Sequence, residues 1–494
     1  MLSYRKLAMR VLGRPLHTGG GNDSPRPASQ RAAALVLTAA MLTTLTAPAF
    51  AETWDIEKGD ITVKAGKTEG TNMVSQGEQK DVEDTGTVIT GKSDKNTVTI
   101  KAENENDKVE VKLEDVNIKT TGGKAAVSVT GKGDTNIELD GDNELKSGAG
   151  HAGLEHNKTD TSGELTIQDK DKNGSLEAVG GFKGAGIGSA GSNDAQVKIT
   201  GGNITATSDD WGAGIGSGSY GTGTVEITGG EINATGGYLG AGIGGGCNGS
   251  GNVTISGGGI TAAGGEGAAG IGGGYYNGAT VTITGDAVIK NASNTKYGAG
   301  IGGGYGYDGD VTISGNAKIE NATGGYGAAG IGGGAFSSPD KIGNGNVVIK
   351  DNAKIDNVQG GAYGAGIGGG IYGLSNVTIE GNTKVNATGG AGGAAIGGGA
   401  GAENNSDNNG NQITIKSNEN GSPTINAVGG GTDEGEKIVI GGAGIGAGCE
   451  SVADADITLE GKVTITATAG KDNVAIGANG IEQEFTGLAE GSSI

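Results

Sequence analysis

Arginine is absent from this chain after Arg31, and other chemically versatile side chains are nearly as scarce. Residues 52–494 carry 29 lysines against 55 Asp and Glu, a formal charge of −26. Without guanidinium groups there is no bidentate fork for phosphate, and so acidic a surface repels nucleic acid and anionic lipid. The histidines of this stretch are His151 and His156, whose strand parity differs, so a two-histidine metal site is not expected. No Ser-His-Asp or Cys-His set can be assembled, and a lyase working through an arginine base has no arginine to use. The expectation is a protein that is not an enzyme. Long apolar runs are missing too: nothing after residue 51 approaches the ~18 residues of a membrane span, so no membrane insertion is expected.

Residues 1–51 read as a secretory leader. Arg5, Lys6, Arg10, Arg14, Arg26 and Arg31 make a basic n-region. The apolar run from Ala32 to Leu45 and the small-x-small triplet Ala49-Phe50-Ala51 follow it. The expected location is extracellular, secreted or at the cell surface, and the expected state is a monomer.

What the chain has in abundance is glycine, 108 residues of it, arranged in a repeat. The signature A-G-I-G-G-G and its variants align on Ile187, Ile215, Ile243, Ile271, Ile301, Ile331, Ile367, Ile396, Ile445 and Ile476. The spacings are 28, 28, 28, 30, 30, 36, 29, 49 and 31 residues, a period that denotes one unit stacked on copies of itself. Within one unit, Val253-Thr254-Ile255, Ile260-Thr261-Ala262 and Ala269-Gly270-Ile271 alternate with period two between glycine turns. Three short strands per coil of about 28 residues describe an all-β fold, a parallel β-helix solenoid. Glycine at the corners supplies positive φ, and Gly270 with its equivalents is expected to leave a smooth, side-chain-free outer strip.

The same alternation continues less regularly upstream. Residues 52–150 are read as divergent N-terminal coils with a cap, and 151–480 as the glycine-rich repeats. Residues 481–494 are read as a C-terminal cap or tail around Ile481, Phe485 and Leu488. Leu154 is a degenerate first signature position, and Glu403–Asn411 a solvated insertion. About 14 coils at ~4.8 Å each would span roughly 70 Å. Cys247 and Cys449 both lie four residues after a signature isoleucine, which places them several coils apart. That separation is beyond the ~7 Å a disulfide tolerates, so two packed thiols are expected.

The leader with V-T-I and A-G-I-G-G-G strands resembles secreted repeat proteins of anaerobic Gram-positive bacteria, whose fold is similar to the pectate-lyase-like right-handed β-helices. The stretch TNIELDGDNEL from Thr135 to Leu145, Ala152-Gly153-Leu154, and GELTI from Gly163 to Ile167 look like the clostridial carbohydrate-binding β-helix family. That resemblance implies a right-handed helix and non-catalytic binding of acidic plant polysaccharide with calcium. No calcium-ligand motif of that family can be placed on numbered residues here.

Aromatic residues are few but concentrated: 13 of the 17 Phe, Trp and Tyr lie between Phe182 and Tyr372, before and after the signature. Rings stacked beside a smooth strip make a platform for sugar rings. By parity, Tyr220, Tyr276, Phe336 and Tyr372 are surface candidates for a polysaccharide or cell-wall glycan. Trp211, Tyr297 and Tyr363 share the parity of the inward Ala and Ile, so they either join the platform or fill a corner. Asp209-Asp210 is the best carboxylate pair, yet neighbours on a strand face opposite ways, which suits a turn better than a glycosidase site. Calcium is a possible ligand of acidic turns such as Asp308-Gly309-Asp310 and Asp407-Asn408-Asn409, though none matches an EF-hand loop. A structural or adhesive surface rod is the alternative function, and a polysaccharide lyase or hydrolase a more remote one.

Overall fold

The computed structural model describes residues 52–294, 296–336, 342–403, 410–432, 440–478, 481–483 and 488–494. The leader, Phe485, Asp407 to Asn409 and the middle of the Glu403–Asn411 insertion lie outside the described residues.

Each coil lays down three strands in separate parallel rows. In the coil of Ile271 these are Gly251–Ile255, Gly259–Ala263 and Ile271–Gly272. Val, Ile and Thr fill the first two because branched side chains pack well on a pleated, half-buried surface. Parallel pairing joins each strand to its counterpart about one repeat away: Val225 to Val253 to Val281, and Ile232 to Ile260 to Ile289. The third row runs Ile187, Ile215, Ile243, Ile271, Ile301, Ile331, Ile367, Ile396, Ile445 and Ile476 without a slip. Upstream it continues through Leu154, Val127, Val98 and Ile61, which makes fourteen rungs among the described residues. One continuous core results, with these Ile, Leu and Val side chains fully or almost fully buried. Burying each such side chain stabilises the fold by roughly 1.5–3 kcal/mol, and stacked strands let identical residues nest on one another.

The first rung is closed by an antiparallel meander, Ile61–Ala65, Asn72–Gln76 and Gln79–Asp84. Trp54 is buried beside it and donates its indole N–H to Asp84 at 2.8 Å. At the other end Ile481 pairs antiparallel with Ala478, yet its side chain is 72% exposed, while Leu488 packs against the core.

Glycine is required at two kinds of position. Between the first and second strands Gly202, Gly230, Gly258, Gly285 and Gly315 have φ from 60 to 99°. After the signature isoleucine Gly188, Gly216, Gly244, Gly272 and Gly302 have φ of 132 to 136°. A Cβ on Gly272 would lie 2.1 Å from the carbonyl oxygen of Gly302, so the rungs approach too closely for any side chain.

The expected bare outer strip is not there. Gly270 and its equivalents Gly214, Gly242 and Gly300 are buried. A Cβ on Gly270 would meet the Ser293 amide nitrogen at 2.6 Å, so the glycine strip is an interior seam against the second row of the next coil.

Candidate functional site

The signature makes a tight reversal in which its alanine N–H donates to the carbonyl four residues on, as in Ala241 to Gly245 at 2.9 Å and Ala269 to Gly273 at 2.8 Å. Chain therefore leaves the core on both sides of the buried isoleucine, and the two loops clasp across coils. The amide four residues after one isoleucine donates to the carbonyl four residues before the previous one. Cys247 N–H to Trp211 O, Tyr305 N–H to Gly267 O, and Ala335 N–H to Tyr297 O are bonds of this kind, at 2.7, 2.7 and 2.9 Å.

This clasp brings the two aromatic groups into one surface. Tyr275, Tyr276, Tyr297, Tyr305, Tyr326, Phe336 and Tyr363 form a connected cluster over four coils, with ring centroids 4.0 to 6.4 Å apart. Tyr305 is its hub, touching Tyr275, Tyr276, Tyr297 and Phe336. Burial first, and the Tyr276 hydroxyl second, push the Tyr275 phenol above its ordinary pKa. Phe182 and Trp211 form a separate pair at 5.2 Å, with the Lys183 ammonium 5.4 and 5.1 Å from their centroids. Between the two groups Tyr238 bonds Glu266, which is held by Lys296; the lysine lowers the Glu266 pKa and the carboxylate raises that of Tyr238.

Parity separates these residues only in part. Tyr297 is 38% exposed and Trp211 half-buried, whereas Tyr363 is half-buried and packs against the buried Ala400 and Cys449. The chain turns before each signature, so the period-two rule stops short of them. Tyr220 and Tyr276 are exposed as expected, while Phe336 and Tyr372 are half-buried. Tyr220 and Tyr372 make no ring contact with the cluster; the Tyr372 ring packs over Gly401 of the next coil.

Backbone strain marks the same residues. Tyr220, Tyr276 and Tyr372 have φ of 65, 61 and 62°, and Tyr363 has 72°. At the position shared by the first three, other coils place Asn248, Gly306 and Gly401, which adopt this conformation cheaply, and also Ser192 and Glu450 with φ of 66 and 54°, so the left-handed turn belongs to the repeat. A tyrosine there costs on the order of 1–2 kcal/mol, a strain that tends to persist at functional sites.

The Beta helix repeat family model matches residues 197–219, 225–247, 253–275 and 311–335. Each match starts at the first core valine of a coil and ends four residues past the signature isoleucine, one clasp donor included. The chain is a parallel β-helix protein. No curated protein and no solved structure matches it. The match is to the repeat and names no ligand.

Other candidate groups of this β-helix are buried or hydrogen-bonded within the chain. His151 Nδ1 lies 2.8 Å from Glu155, a buried carboxylate that also accepts from Ala152 N–H and Asn157. His156 is buried against the Gln196 carbonyl, and burial lowers its pKa. Cys247 and Cys449 are free and buried, and burial pushes both thiols up to about 11. Asp209 and Asp210 lie in a bend. Asp308 and Asp310 share a face, but each accepts a hydrogen bond from the next coil, Asn344 N–H and Asn346 Nδ2, both at 2.7 Å. Among the described residues no three His, Cys, Asp or Glu side chains converge, and this pair alone falls short of the six to eight oxygens calcium takes. No helix among the described residues is long and apolar enough to cross a membrane.

Sequence reasoning left Tyr275, Tyr305 and Tyr326 off the candidate set, although their distance from the signature isoleucine carried the signal. It also passed over an asparagine ladder: Asn382 donates to Asn352 at 3.1 Å, Asn352 to Asn316 at 3.3 Å, and Asn316 to Asp286 at 3.0 Å.

Proposed function

We propose that this protein is an exported, non-catalytic β-helix that binds polysaccharide along its aromatic face. The observation that carries the reading is the seven-ring cluster on four successive coils, two of whose members, Tyr276 and Tyr363, are held in left-handed backbone. Flat rings with hydroxyl edges bury the apolar faces of sugars while leaving donors and acceptors at the rim. Coils repeat at ~4.8 Å, so a glycan lying along the stack meets an equivalent surface at each step. The basic and apolar pattern of residues 1–51 supports export. A binding rather than catalytic role is supported by the lack of arginine after residue 31, the burial of His156 and the engagement of His151 by Glu155.

A second reading, a structural surface rod, draws on the asparagine ladder and on Lys–carboxylate pairs between coils, such as Lys198–Glu226 at 3.4 Å and Lys318–Asp356 at 3.0 Å. A glycan array with and without calcium separates the two. Binding that falls in Tyr276→Ala and Tyr372→Ala proteins supports the platform; no binding in either condition overturns it and leaves the rod.

A further inference from the structure

Beside the aromatic cluster, at the edge of the first row, lies an open hollow of about 500 Å³. It exists because Gly278 stands where the flanking coils place Ser250 and Asp308, each one residue ahead of the paired Gly251, Ala279 and Gly309. Asn277, Gly306, Tyr307, Asp308 and Asp310 line it. Gly306 also lies under Phe336, for a Cβ there would meet that ring at 2.6 Å, so hollow and ring cluster share a wall. No lysine lines the hollow among the described residues. Lys296, on the aromatic flank, is held by Glu266. Asp308 is bonded by both the backbone N–H and the side chain of Asn344, and Asp310 accepts from Asn346; each carboxylate has further lone pairs that can accept.

We propose that this hollow is an orienting subsite for one neutral, hydroxyl-rich sugar unit, whose hydroxyls donate to Asp308 and Asp310 while neighbouring units lie on the rings. The proposal rests on the carbohydrate reading above and departs from the acidic ligand that the resemblance implies. A uronate carboxylate entering here meets two carboxylates, with no lysine among the described lining residues to offset them. A neutral sugar meets acceptors for its hydroxyls beside an apolar wall, the combination that fixes orientation in ligand sites. Burial, with Asp310 adding like charge, already holds the Asp308 carboxyl above its ordinary pKa, in keeping with a negative local field.

The test is calorimetric titration of the protein with cellohexaose, xylohexaose, mannohexaose and hexagalacturonate, each in EDTA and in millimolar calcium. At least one neutral hexasaccharide binds at least ~10-fold more tightly than hexagalacturonate in both buffers. Asp308→Ala weakens that ligand by at least ~10-fold with circular dichroism unchanged, and the isosteric Asp308→Asn/Asp310→Asn protein narrows the gap to hexagalacturonate. Hexagalacturonate binding as tightly or more tightly, lost in Tyr276→Ala but unchanged in the double Asn protein, overturns the neutral subsite and leaves the carbohydrate reading standing. An unchanged affinity in Asp308→Ala also overturns the subsite alone. If no hexasaccharide binds, both fall.

Discussion

The ring of Tyr275 lies parallel to that of Tyr305 one coil away, with centroids 5.3 Å apart and planes 5° apart. Both sit four residues after a signature isoleucine, so the stack is set by the spacing of the coils. Tyr305→Ala removes the hub of the ring cluster and is expected to destabilise the protein by about 1–3 kcal/mol, as pairwise ring energies of 0.5–1.5 kcal/mol suggest. A urea melt against wild type measures this. No change in midpoint would mean that the rings do not support one another.

Exposed tyrosines in left-handed backbone behave differently. Tyr220 is 57% exposed with φ 65°, so its ring contributes little packing and its backbone is strained. Tyr220→Gly should be more stable than Tyr220→Ala by about 1 kcal/mol, because glycine alone adopts this φ without penalty. Equal midpoints would remove the argument from strain.

Two glycines test the seam. Gly272→Ala forces a Cβ toward the Gly302 carbonyl oxygen at 2.1 Å with φ +136°, and should cost about 2–4 kcal/mol. Gly259→Ala meets only the movable ends of Glu231 and Lys290, and should stay within about 0.5 kcal/mol of wild type. Similar losses in both proteins would refute the distinction.

His156 gives stability a pH dependence. Burial lowers its pKa in the folded chain, so the unfolded chain binds the extra proton as pH falls below about 6.5. Its contribution is complete above that value and declines as pH falls through the folded pKa. His156→Leu should flatten the change in urea midpoint between about pH 8 and pH 5 relative to wild type. An unchanged slope would assign the acid loss to other groups.

Cys247 and Cys449 are buried, with thiols pushed up to about 11. A thiol reagent at about pH 8 should label neither in the native protein and both in guanidinium, since the thiolate is the reactive form. Prompt labelling of either native thiol would show that its loop opens.

Much of this was readable in the chain because one physical unit is written many times. Each signature isoleucine pairs with the next, and even the degenerate Leu154 takes its place in the row. Cys247 and Cys449 remained unpaired for the reason their spacing implied. The surface was less legible. Strand parity does not survive the turn that precedes the signature, so it leaves open whether Tyr297 and Trp211 join the platform or fill a corner; Tyr297 is exposed and Trp211 half-buried. Gly270 looked like a bare outer face because nothing in a single coil shows that the second row of the next coil covers it. The Asn316–Asn352–Asn382 ladder joins residues 36 and 30 positions apart, a spacing that varies with loop length and so hides from a fixed period.

The clasp between loops has a further consequence for how such a molecule can change. Where the period lengthens to 36 and 49 residues, Ile331, Ile367, Ile396 and Ile445 still pair rung to rung. Scaffold and surface are thus separately editable. Residues can be gained, lost or exchanged along the aromatic-bearing edge without renegotiating the interior, so successive coils are free to diverge in what they present while remaining interchangeable in how they stack.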